Sequence, residues 1–280
     1  MSRGLGDVYK RQADILVLPE SIEQLREVLK VVKETVVPLT LLGNGSNVLV
    51  RDKGIRGIVI KLGNMLRHFY EAEDLLVFGS GYSLALASYK AMECGRTGME
   101  FAVGIPGSIG GAVYMNAGAY DGEMQNIVNC VKVMDLQGNE RVLTAEELNF
   151  GYRKTSLQNS GLIVTEVTLK MPSGNKDEIK SKMDDFSHRR ISKQPLEMPS
   201  AGSMFKRPPG YFAGTLIDQA GLKGYTVGGA QISTKHAGFV VNVGGATAAD
   251  VLQLIKDVQT KIKAGVGVEL QPEVLVIGEE

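Results

Sequence analysis

Two long segments of the chain place apolar residues every three or four positions, which is the spacing of an amphipathic helix. One segment follows Ser21 and the other follows Thr247, and in both the apolar positions form one stripe with charged residues between them. Ser21 and Gln24 also match the capping-box pattern, in which each side chain can accept a hydrogen bond from the other residue's backbone N–H. We therefore predict a helix after Ser21 and another after Thr247, the second ending at Gly265.

Shorter apolar runs, bounded by Gly, Asn, Pro or Asp, predict β-strands along the rest of the chain. In the clearest run, residues 163–171, every second residue belongs to one largely apolar face. Two further helices are predicted over residues 82–93 and 176–193. The chain contains no internal repeat, and we class the fold as α+β. The other predicted strands are Asp14–Leu18, Pro38–Leu42, Val48–Val50, Ile55–Leu62, Leu75–Phe78, Ile127–Met134, Arg141–Leu143, Gly238–Val243 and Val274–Ile277.

Changes in this pattern divide the chain into three lobes. Residues 13–72 form a small α/β lobe, residues 73–172 a strand-dominated lobe, and residues 173–280 a last lobe that contains the helix after Thr247. The best boundary is the stretch MPSGNKDE at 171–178, where Pro, Ser, Gly and Asn precede a charged helix. Residues 1–12, MSRGLGDVYKRQ, lack the patterning of the rest, and we assign them to no lobe.

Charge and composition exclude several classes of function. The chain has 31 Lys plus Arg and 31 Asp plus Glu, so no overall charge would draw it to nucleic acid or to a membrane surface. No apolar run approaches the roughly 18 residues of a membrane span. Two cysteines and three histidines, spread along the chain, form neither a disulfide framework nor a metal-binding cluster. We expect a cytoplasmic protein without nucleic-acid, membrane or metal partners.

Glycine is frequent, with 34 residues, and it is concentrated in a few stretches. LLGNGSNVLV at 41–50 is typical of a tight turn between strands, although its backbone N–H groups could also face an anion. GIPGSIGGAVYMNAGAY at 104–120 has five glycines and no charged residue, more glycine than a hairpin turn needs. Glycine lets a backbone approach a ligand closely, and main-chain N–H groups can hold a diphosphate without Lys or Arg. The second stretch therefore predicts a phosphate-bearing cofactor, although it matches neither a Rossmann nor a P-loop motif.

Six segments, taken in order, carry a resemblance to a known enzyme family. From about residue 13 to residue 280, the chain resembles the UDP-N-acetylenolpyruvoylglucosamine reductases, flavoenzymes of early peptidoglycan synthesis. Any one segment could occur by chance, whereas six in sequence are specific. The segments are LLGNGSNVLV, EFAVGIPGSIGGAVYMNAGAY (100–120), FGYRKTSL (150–157), KQPLEMPSAGSMFKRP (193–208), AGLKGYTVGGAQISTKHAGFVVN (220–242) and GVELQPEVLVIG (267–278).

The resemblance implies a fold and a cofactor. It implies a two-lobed FAD-binding domain of the vanillyl-alcohol-oxidase/PCMH type at 13–72 and 73–172, followed by a C-terminal α+β substrate-binding domain at 173–280. FAD is the implied cofactor and NADPH the co-substrate, and we expect a monomer or a weak dimer. In this family the 104–120 stretch wraps the FAD diphosphate. The implied cofactor-binding residues are Gly43, Asn44, Gly45, Ser46, Asn47, Gly104, Pro106, Gly107, Ser108, Gly110, Gly111, Asn116, Ala117 and Gly118.

The resemblance also implies three catalytic residues, each of which has a plainer interpretation when taken alone. Ser203 would otherwise be a turn serine, Arg153 a surface cation and Glu273 a solvated carboxylate at a strand end. In the family they are, in turn, the proton donor, the partner of the substrate carboxylate, and a carboxylate that orients the arginine or assists the enol. The implied contacts to the substrate are Lys206, Gln231 and Gln194.

The implied reaction is reduction of UDP-N-acetylglucosamine enolpyruvate to UDP-N-acetylmuramate by NADPH through FAD. After hydride adds to the enolpyruvyl β-carbon, the α-carbon takes a proton from Ser203, and we expect Lys206 or a water to restore that proton. Two alternatives stay open. The chain could be another FAD-dependent oxidoreductase on the same scaffold, or a non-catalytic binder of FAD or sugar nucleotide if residues 1–12 disable the flavin lobe.

Two features depart from the family pattern. MSRGLGDVYKRQ stands where the family usually has a Thr-x-x-x-Gly-Gly-type segment. Only about thirty residues separate the strand at 163–171 from AGSMFKRP, which leaves no room for the tyrosine-bearing loop that covers the substrate in one subtype. The chain therefore resembles the shorter, loop-less subtype.

Overall fold

The computed structural model describes residues 13–62 and 66–280, so the interpretation of residues 1–12 lies outside the described residues. Contacts between backbone positions divide the chain into two units. Unit 2 comprises Ile15–Asn44 and Gly57–Arg189, whereas unit 1 comprises Gly45–Arg56 and Arg190–Glu280 together with residues 13–14. The chain leaves unit 2 within the glycine-rich loop at 43–47. The division into three lobes at 72 and 172 stays a prediction.

The described residues form sixteen strands and six α-helices. The strands are β1 (Ala13–Val17), β2 (Leu39–Leu42), β3 (Val48–Val50), β4 (Ile55–Lys61), β5 (Phe69–Ala72), β6 (Leu75–Gly79), β7 (Gly118–Ala119), β8 (Gly122–Glu123), β9 (Val128–Met134), β10 (Glu140–Thr144), β11 (Ile163–Lys170), β12 (Ser200–Ser203), β13 (Thr226–Val227), β14 (Ala230–Ile232), β15 (Phe239–Asn242) and β16 (Leu275–Ile277). The helices are α1 (Ile22–Thr35), α2 (Leu84–Glu93), α3 (Ile109–Tyr114), α4 (Lys176–Lys193), α5 (Ala213–Gln219) and α6 (Ala248–Val266).

The small sheet has the order β1-β4-β2, and β2 runs parallel to β4. The predicted helix after Ser21 is α1, which buries Leu25 and Leu29 in a cluster with Ile58 and Ile60 of β4. Ser21 accepts a hydrogen bond from the backbone N–H of Gln24, as the capping box predicts. The Gln24 side chain, however, accepts from the N–H of Glu20 at 2.7 Å, one residue earlier than predicted.

The central sheet of unit 2 has five antiparallel strands in the order β10-β9-β11-β6-β5. Phe78, Val131 and Val167 project from one face of this sheet into the largest core cluster, which also contains the apolar residues of α2 and α3. Because α2 and α3 cover this face, the loops at their N-termini are held against the edge of a rigid core.

Unit 1 is built on the antiparallel sheet β12-β15-β14-β13. All the apolar residues of the stripe predicted in α6 are buried against this sheet and α5; they are Val251, Leu254, Ile255, Val258 and Ile262. β3 pairs in parallel with β16, so residues from the first quarter of the chain belong to this unit. The sequence pattern predicted both strands but not their pairing.

Three helices differ from the prediction, one of them α5, for which the sequence pattern predicted no helix. α6 continues to Val266, because Gly267 and not Gly265 adopts the left-handed φ of 71° that ends a helix. α3 forms inside the glycine-rich stretch, where we predicted no helix. Ser108 caps α3 by accepting from the N–H of Gly111 at 3.4 Å, and this cap compensates in part for the low helix propensity of two consecutive glycines.

Candidate active site

The two glycine-rich loops contact each other in unit 2. Asn44 Nδ2 donates to the carbonyl oxygen of Pro106 at 3.2 Å. A methyl group placed on Gly43 would stand 2.6 Å from Ser108 Oγ, so only glycine allows this approach without moving the serine. The predicted cofactor-binding residues of the two loops are therefore brought together at Gly43, Asn44, Pro106 and Ser108.

The first backbone N–H groups of α3 are all used within the protein. Ile109 N donates to Tyr82 O and Gly110 N to Ser80 O, both at 2.9 Å. Any anion held here must therefore be bound by the loop ahead of the helix and not by the helix N-terminus. In the described part of the chain, the N–H groups of Gly104, Gly107 and Ser108 have no protein acceptor.

Ser80 lies directly under this loop and was missed by the sequence analysis. A methyl group on Gly110 would stand 2.7 Å from Ser80 Cβ, which shows how closely the two backbones approach. Ser80 is 2% exposed, and its Oγ has no hydrogen-bond partner among the described residues. A buried hydroxyl without a partner is unfavourable unless a ligand supplies one. The Gly79-Ser80-Gly81 run was the signal that could have identified it.

Asn116 holds the end of the 104–118 stretch in place. It is fully buried, and its Nδ2 donates to Glu123 Oε2 at 3.1 Å and to Gly151 O at 3.0 Å. Its Oδ1 accepts from Gln125 N at 3.0 Å. Its side-chain donors and acceptor are thus engaged with protein, and a contact from Asn116 to a cofactor would come from its backbone. Ala117 and Gly118 follow it, and Gly118 begins the hairpin of β7 and β8.

Arg153 occupies a strained position at the tip of a turn. Gly151 and Lys154 exchange backbone hydrogen bonds around it, and the φ of Arg153 is 55°. The left-handed region costs a residue with a side chain about 1–2 kcal/mol. Strain of this size persists only where neighbouring contacts enforce it, and it is concentrated at functional sites.

The contacts that enforce this conformation tie Arg153 to the glycine-rich stretch. Arg153 Nη2 donates to Gly118 O at 3.0 Å, and Nη1 lies 3.4 Å from Asn116 O. Gln158 Nε2 donates to the Arg153 carbonyl oxygen at 3.1 Å. The guanidinium carbon is also 5.1 Å from the centre of the Tyr152 ring, a cation–π distance. The guanidinium is therefore fixed to the end of the predicted cofactor loop.

The segments that carry Ser203 and Glu273 are joined in unit 1. Met204, which follows Ser203, donates its N–H to Gly238 O at 2.8 Å, and its carbonyl oxygen accepts from Glu273 N at 2.9 Å. Ser203 is exposed at the end of β12. Asn47, the last residue of the first glycine-rich loop, donates from Nδ2 to Glu273 O at 3.2 Å. Unit 1 thus brings together two predicted catalytic residues and the predicted cofactor-binding residue Asn47. It also contains two further predicted cofactor-binding residues, Gly45 and Ser46.

The three predicted substrate contacts also lie in unit 1, but in different settings. Lys206 is half-buried, and its N–H donates to Gln271 O at 2.8 Å in the same ladder that holds Ser203 and Glu273. Gln231 lies on β14, where its Nε2 donates to Thr226 Oγ1 at 3.0 Å. Gln194 follows α4, and its Oε1 accepts from Arg190 Nη1 at 3.3 Å. Only Lys206 shares the Ser203 ladder.

His236 lies beside Ser203, in a segment that the sequence analysis associated with the substrate lobe without giving the histidine a role. A methyl group on Gly238 would stand 3.0 Å from His236 Cε1 and 3.5 Å from Ser203 Oγ. Burial lowers the pKa of His236; a hydrogen bond with the histidine's own backbone raises it in part, and the cations Lys223 and Lys193 lower it, so the net shift favours the neutral imidazole. Its position in the motif Lys-His-Ala-Gly was the available signal.

Other kinds of site find no support in the described ranges, 13–62 and 66–280. No group of three or more His, Cys, Asp or Glu side chains there could hold a metal ion. None of the helices formed by these residues has the length and apolar content of a membrane span. Both cysteines are free, and burial together with a hydrogen bond to Glu71 raises the pKa of Cys94 to about 11, so this thiol is not an activated nucleophile.

Comparison with known proteins matches both parts of the chain to family models. Residues 13–144 match the FAD binding domain, and residues 194–277 match the C-terminal domain of UDP-N-acetylenolpyruvoylglucosamine reductase. The expected α+β fold, with an FAD-binding domain ahead of a C-terminal domain, is thereby confirmed.

Relatives that align over nearly the whole chain lead to the same family as the two family models. UDP-N-acetylenolpyruvoylglucosamine reductase of Clostridium perfringens (strain SM101 / Type A) is 52% identical over 268 residues, covering 96% of this chain and 88% of that protein. The enzyme of Geobacillus thermodenitrificans (strain NG80-2) is 50% identical with the same coverage. The crystal structure of the Thermus caldophilus reductase (MurB) has a TM-score of 0.79 and 40% identity, covering 93% of this chain and 91% of that one. This chain belongs to the UDP-N-acetylenolpyruvoylglucosamine reductase family.

Proposed function

We propose that this chain reduces UDP-N-acetylglucosamine enolpyruvate to UDP-N-acetylmuramate, with NADPH as the source of hydride, in peptidoglycan synthesis. Family membership supports the reaction class. The observation that carries the assignment to specific residues is the hydrogen-bonded ladder that joins the Ser203 and Glu273 segments within the reductase-specific C-terminal match.

The residues around the glycine-rich loops fit FAD. A diphosphate suits a loop whose unpaired donors are main-chain N–H groups, here Gly104, Gly107 and Ser108, with no basic side chain in the stretch. Ser80 Oγ, buried without a partner, would be a further donor. FAD held there would supply the hydride transfer from NADPH to the carbon–carbon double bond of the substrate.

Arg153 would hold the substrate carboxylate. A guanidinium pairs bidentately with a carboxylate, and the charge that develops next to the reduced carbon is delocalised onto that group. The hydrogen bonds from Arg153 to Gly118 O and Asn116 O fix the guanidinium before substrate arrives. Because these bonds are already made, little reorganisation of the guanidinium is needed during the reaction.

Ser203 would donate the proton that completes the reduction. Once the β-carbon carries hydride, the carboxylate-stabilised α-carbanion is basic enough to take the Ser203 proton, although a free serine is a weak acid. Glu273, one ladder bond from Met204, would orient the arginine or assist the enol. Lys206 lies in the same ladder and, with water, is a candidate for restoring the serine proton.

Further parts of this proposal rest on the family and on composition. A cytoplasmic location agrees with two unpaired cysteines. A monomer or weak dimer and the contacts from Gln231 and Gln194 to substrate stay predictions.

The deciding experiment is an anaerobic visible spectrum of the purified protein, titrated first with NADPH and then with the enolpyruvyl sugar nucleotide. The proposal predicts a flavin band that bleaches with NADPH and returns with substrate. A flavin that bleaches but is not reoxidised by this substrate would favour another flavin oxidoreductase. A colourless protein that does not take up added FAD would favour the non-catalytic alternative.

A further inference from the structure

The His236 ring is held by its own turn. Ser233 Oγ accepts the N–H groups of Lys235 and His236 at 3.2 and 3.3 Å, which closes the turn before the ring. His236 Nδ1 accepts from the N–H of Gly238 at 3.0 Å. The ring also meets Phe239 edge-on, with 5.0 Å between ring centres. Since Nδ1 is an acceptor here, the neutral imidazole carries its proton on Nε2.

Gly238 connects this ring to Ser203. Its carbonyl oxygen accepts from Met204 N at 2.8 Å, and Ser203 pairs with Phe239 across β12 and β15. The point where a Cβ of Gly238 would lie is 3.0 Å from His236 Cε1 and 3.5 Å from Ser203 Oγ. Gly238 is thus fixed on one side by the imidazole and on the other by the segment that carries the serine.

We propose that His236 is a positioning residue for Ser203: its unprotonated Nδ1 holds the N–H of Gly238 and so fixes the backbone against which the serine hydroxyl is placed. The inference rests on the proposed role of Ser203. Protonation of Nδ1 would turn the acceptor into a second donor facing the N–H of Gly238. The hydrogen bond would be lost, and Gly238 would move away from its place between Met204 and the ring.

The charged groups around the ring favour the unprotonated state. Lys223 and Lys193 oppose a positive charge on the imidazole, and Asp218 of α5 partly offsets them. Lys235, adjacent in sequence, is paired with Glu197 at 3.7 Å and donates to Ile191 O. On the α5 side, Gly214 lies against the ring, since a methyl group added there would stand 3.2 Å from His236 Cε1.

Two substitutions distinguish the role of the hydrogen-bond acceptor at Nδ1 from that of the titratable imidazole ring. Asparagine places Oδ1 near the position of histidine Nδ1, so His236→Asn keeps an acceptor that does not titrate, whereas His236→Ala removes it. The exposed His188 gives a control, His188→Asn. The assay is anaerobic stopped flow on the FAD-loaded protein, with NADPH reduction and reoxidation by the enolpyruvyl sugar nucleotide measured separately from pH 5 to 9.

We expect His236→Ala to slow reoxidation by about 10- to 100-fold with NADPH reduction unchanged, because misplacing a reacting group by about 1 Å costs about that much. His236→Asn is expected to stay within about 3-fold of the wild type at high pH and to lose the decline of the reoxidation rate at acid pH. An asparagine variant that keeps the wild-type acid decline, or is as slow as alanine, overturns the inference. A wild-type protein whose flavin this substrate does not reoxidise overturns the proposed function instead.

If His236→Ala does not fold, the asparagine pH profile alone decides. In that case an acid decline lost in His236→Asn and kept in His188→Asn supports the positioning role, and a decline kept in both contradicts it.

Discussion

The predicted cofactor loops of unit 2 and the Ser203 ladder of unit 1 use the backbone in opposite ways. Around Gly104, Gly107 and Ser108 the main chain offers unpaired N–H donors, and at Gly43 and Gly110 a side chain would stand too close to its neighbours. Around Ser203 and Glu273 the main chain is paired with itself, and the side chains carry the proposed chemistry. A site of the first kind is sensitive to an added methyl group, whereas a site of the second kind is sensitive to a lost functional group.

The sharpest test of this comparison is Ser203→Ala. The exposed hydroxyl is not needed for the ladder, so the fold and the reduction of flavin by NADPH should be unchanged. Reoxidation by substrate should fall by about 10²–10⁴-fold, the usual contribution of a positioned acid. Stopped-flow reoxidation measures this, with Ser181→Ala on the exposed surface of α4 as the control. A variant that reoxidises near the wild-type rate would remove Ser203 from the mechanism.

Arg153→Lys keeps the charge and removes the fork of donors. We expect kcat to fall by about 10²-fold, the size of effect seen when one preorganised donor to a developing charge is lost. The fold should remain, with a lower melting temperature, because lysine cannot make both of the bonds to Gly118 O and Asn116 O that hold the strained turn. Arg141→Lys on the exposed side of β10 is the control. Equal kcat in Arg153→Lys and the wild type would reduce Arg153 to a structural link between the turn and Gly118.

Adding a methyl group at Gly110 tests the backbone site directly. Gly110→Ala would place Cβ 2.7 Å from Ser80 Cβ and 3.1 Å from Ser80 O, which cannot be relieved by a side-chain rotation. We expect weaker FAD binding in a titration and a loss of about 1–3 kcal/mol in the free energy of unfolding.

The matched control for this substitution is Gly265→Ala, a helical glycine whose added Cβ meets nothing within 4 Å. Its unfolding free energy should rise by up to about 1 kcal/mol, since alanine has the higher helix propensity. Equal FAD affinity in Gly110→Ala and the wild type would argue that the close approach to Ser80 does not serve the cofactor.

The smallest effect concerns the pH dependence of stability. Because the folded protein depresses the pKa of His236, the unfolded chain binds its proton first as the pH falls. The contribution of His236 to stability is therefore fully present above its unfolded pKa of about 6.5 and declines as the pH falls toward the lower, folded pKa. The free energy of unfolding, measured in urea, should decrease over this pH range more steeply for the wild type than for His236→Asn. Parallel curves of unfolding free energy against pH for the two proteins would contradict the lowered pKa of His236.

The elements that could be predicted from sequence are those whose cause is local. The α6 stripe is one example, because burial of every fourth or third residue follows from helix geometry alone. The end of α6 was misplaced by two residues, since both Gly265 and Gly267 can adopt a left-handed φ and only packing selects between them. α3 was missed because its stability comes from the Ser108 cap and close packing on Ser80, which propensity does not register.

The candidate site residues also divide into those with a local sequence signal and those without one. The glycine-rich loops could be proposed as cofactor-binding from composition, because only glycine allows a backbone to approach its neighbours this closely. Catalytic roles for Ser203, Arg153 and Glu273 could be proposed only through the family resemblance. Ser80 and His236 acquired a role only when distant segments were brought together, since a lone serine or histidine carries no local pattern.

The pairing of β3 with β16 has a consequence for how the protein is made. Residues 48–50 leave the ribosome early, yet their parallel partner strand is not available until residues 275–277 have been synthesised. The strands of the five-stranded sheet, in contrast, all lie between residues 69 and 170 and can pair as soon as that stretch has emerged. Domains generally fold as units in the order of synthesis, so the flavin-binding core should form first. The β3 segment should remain unpaired until β16 has been synthesised. Removing the last few residues should therefore leave that segment without its partner while the earlier sheet still assembles.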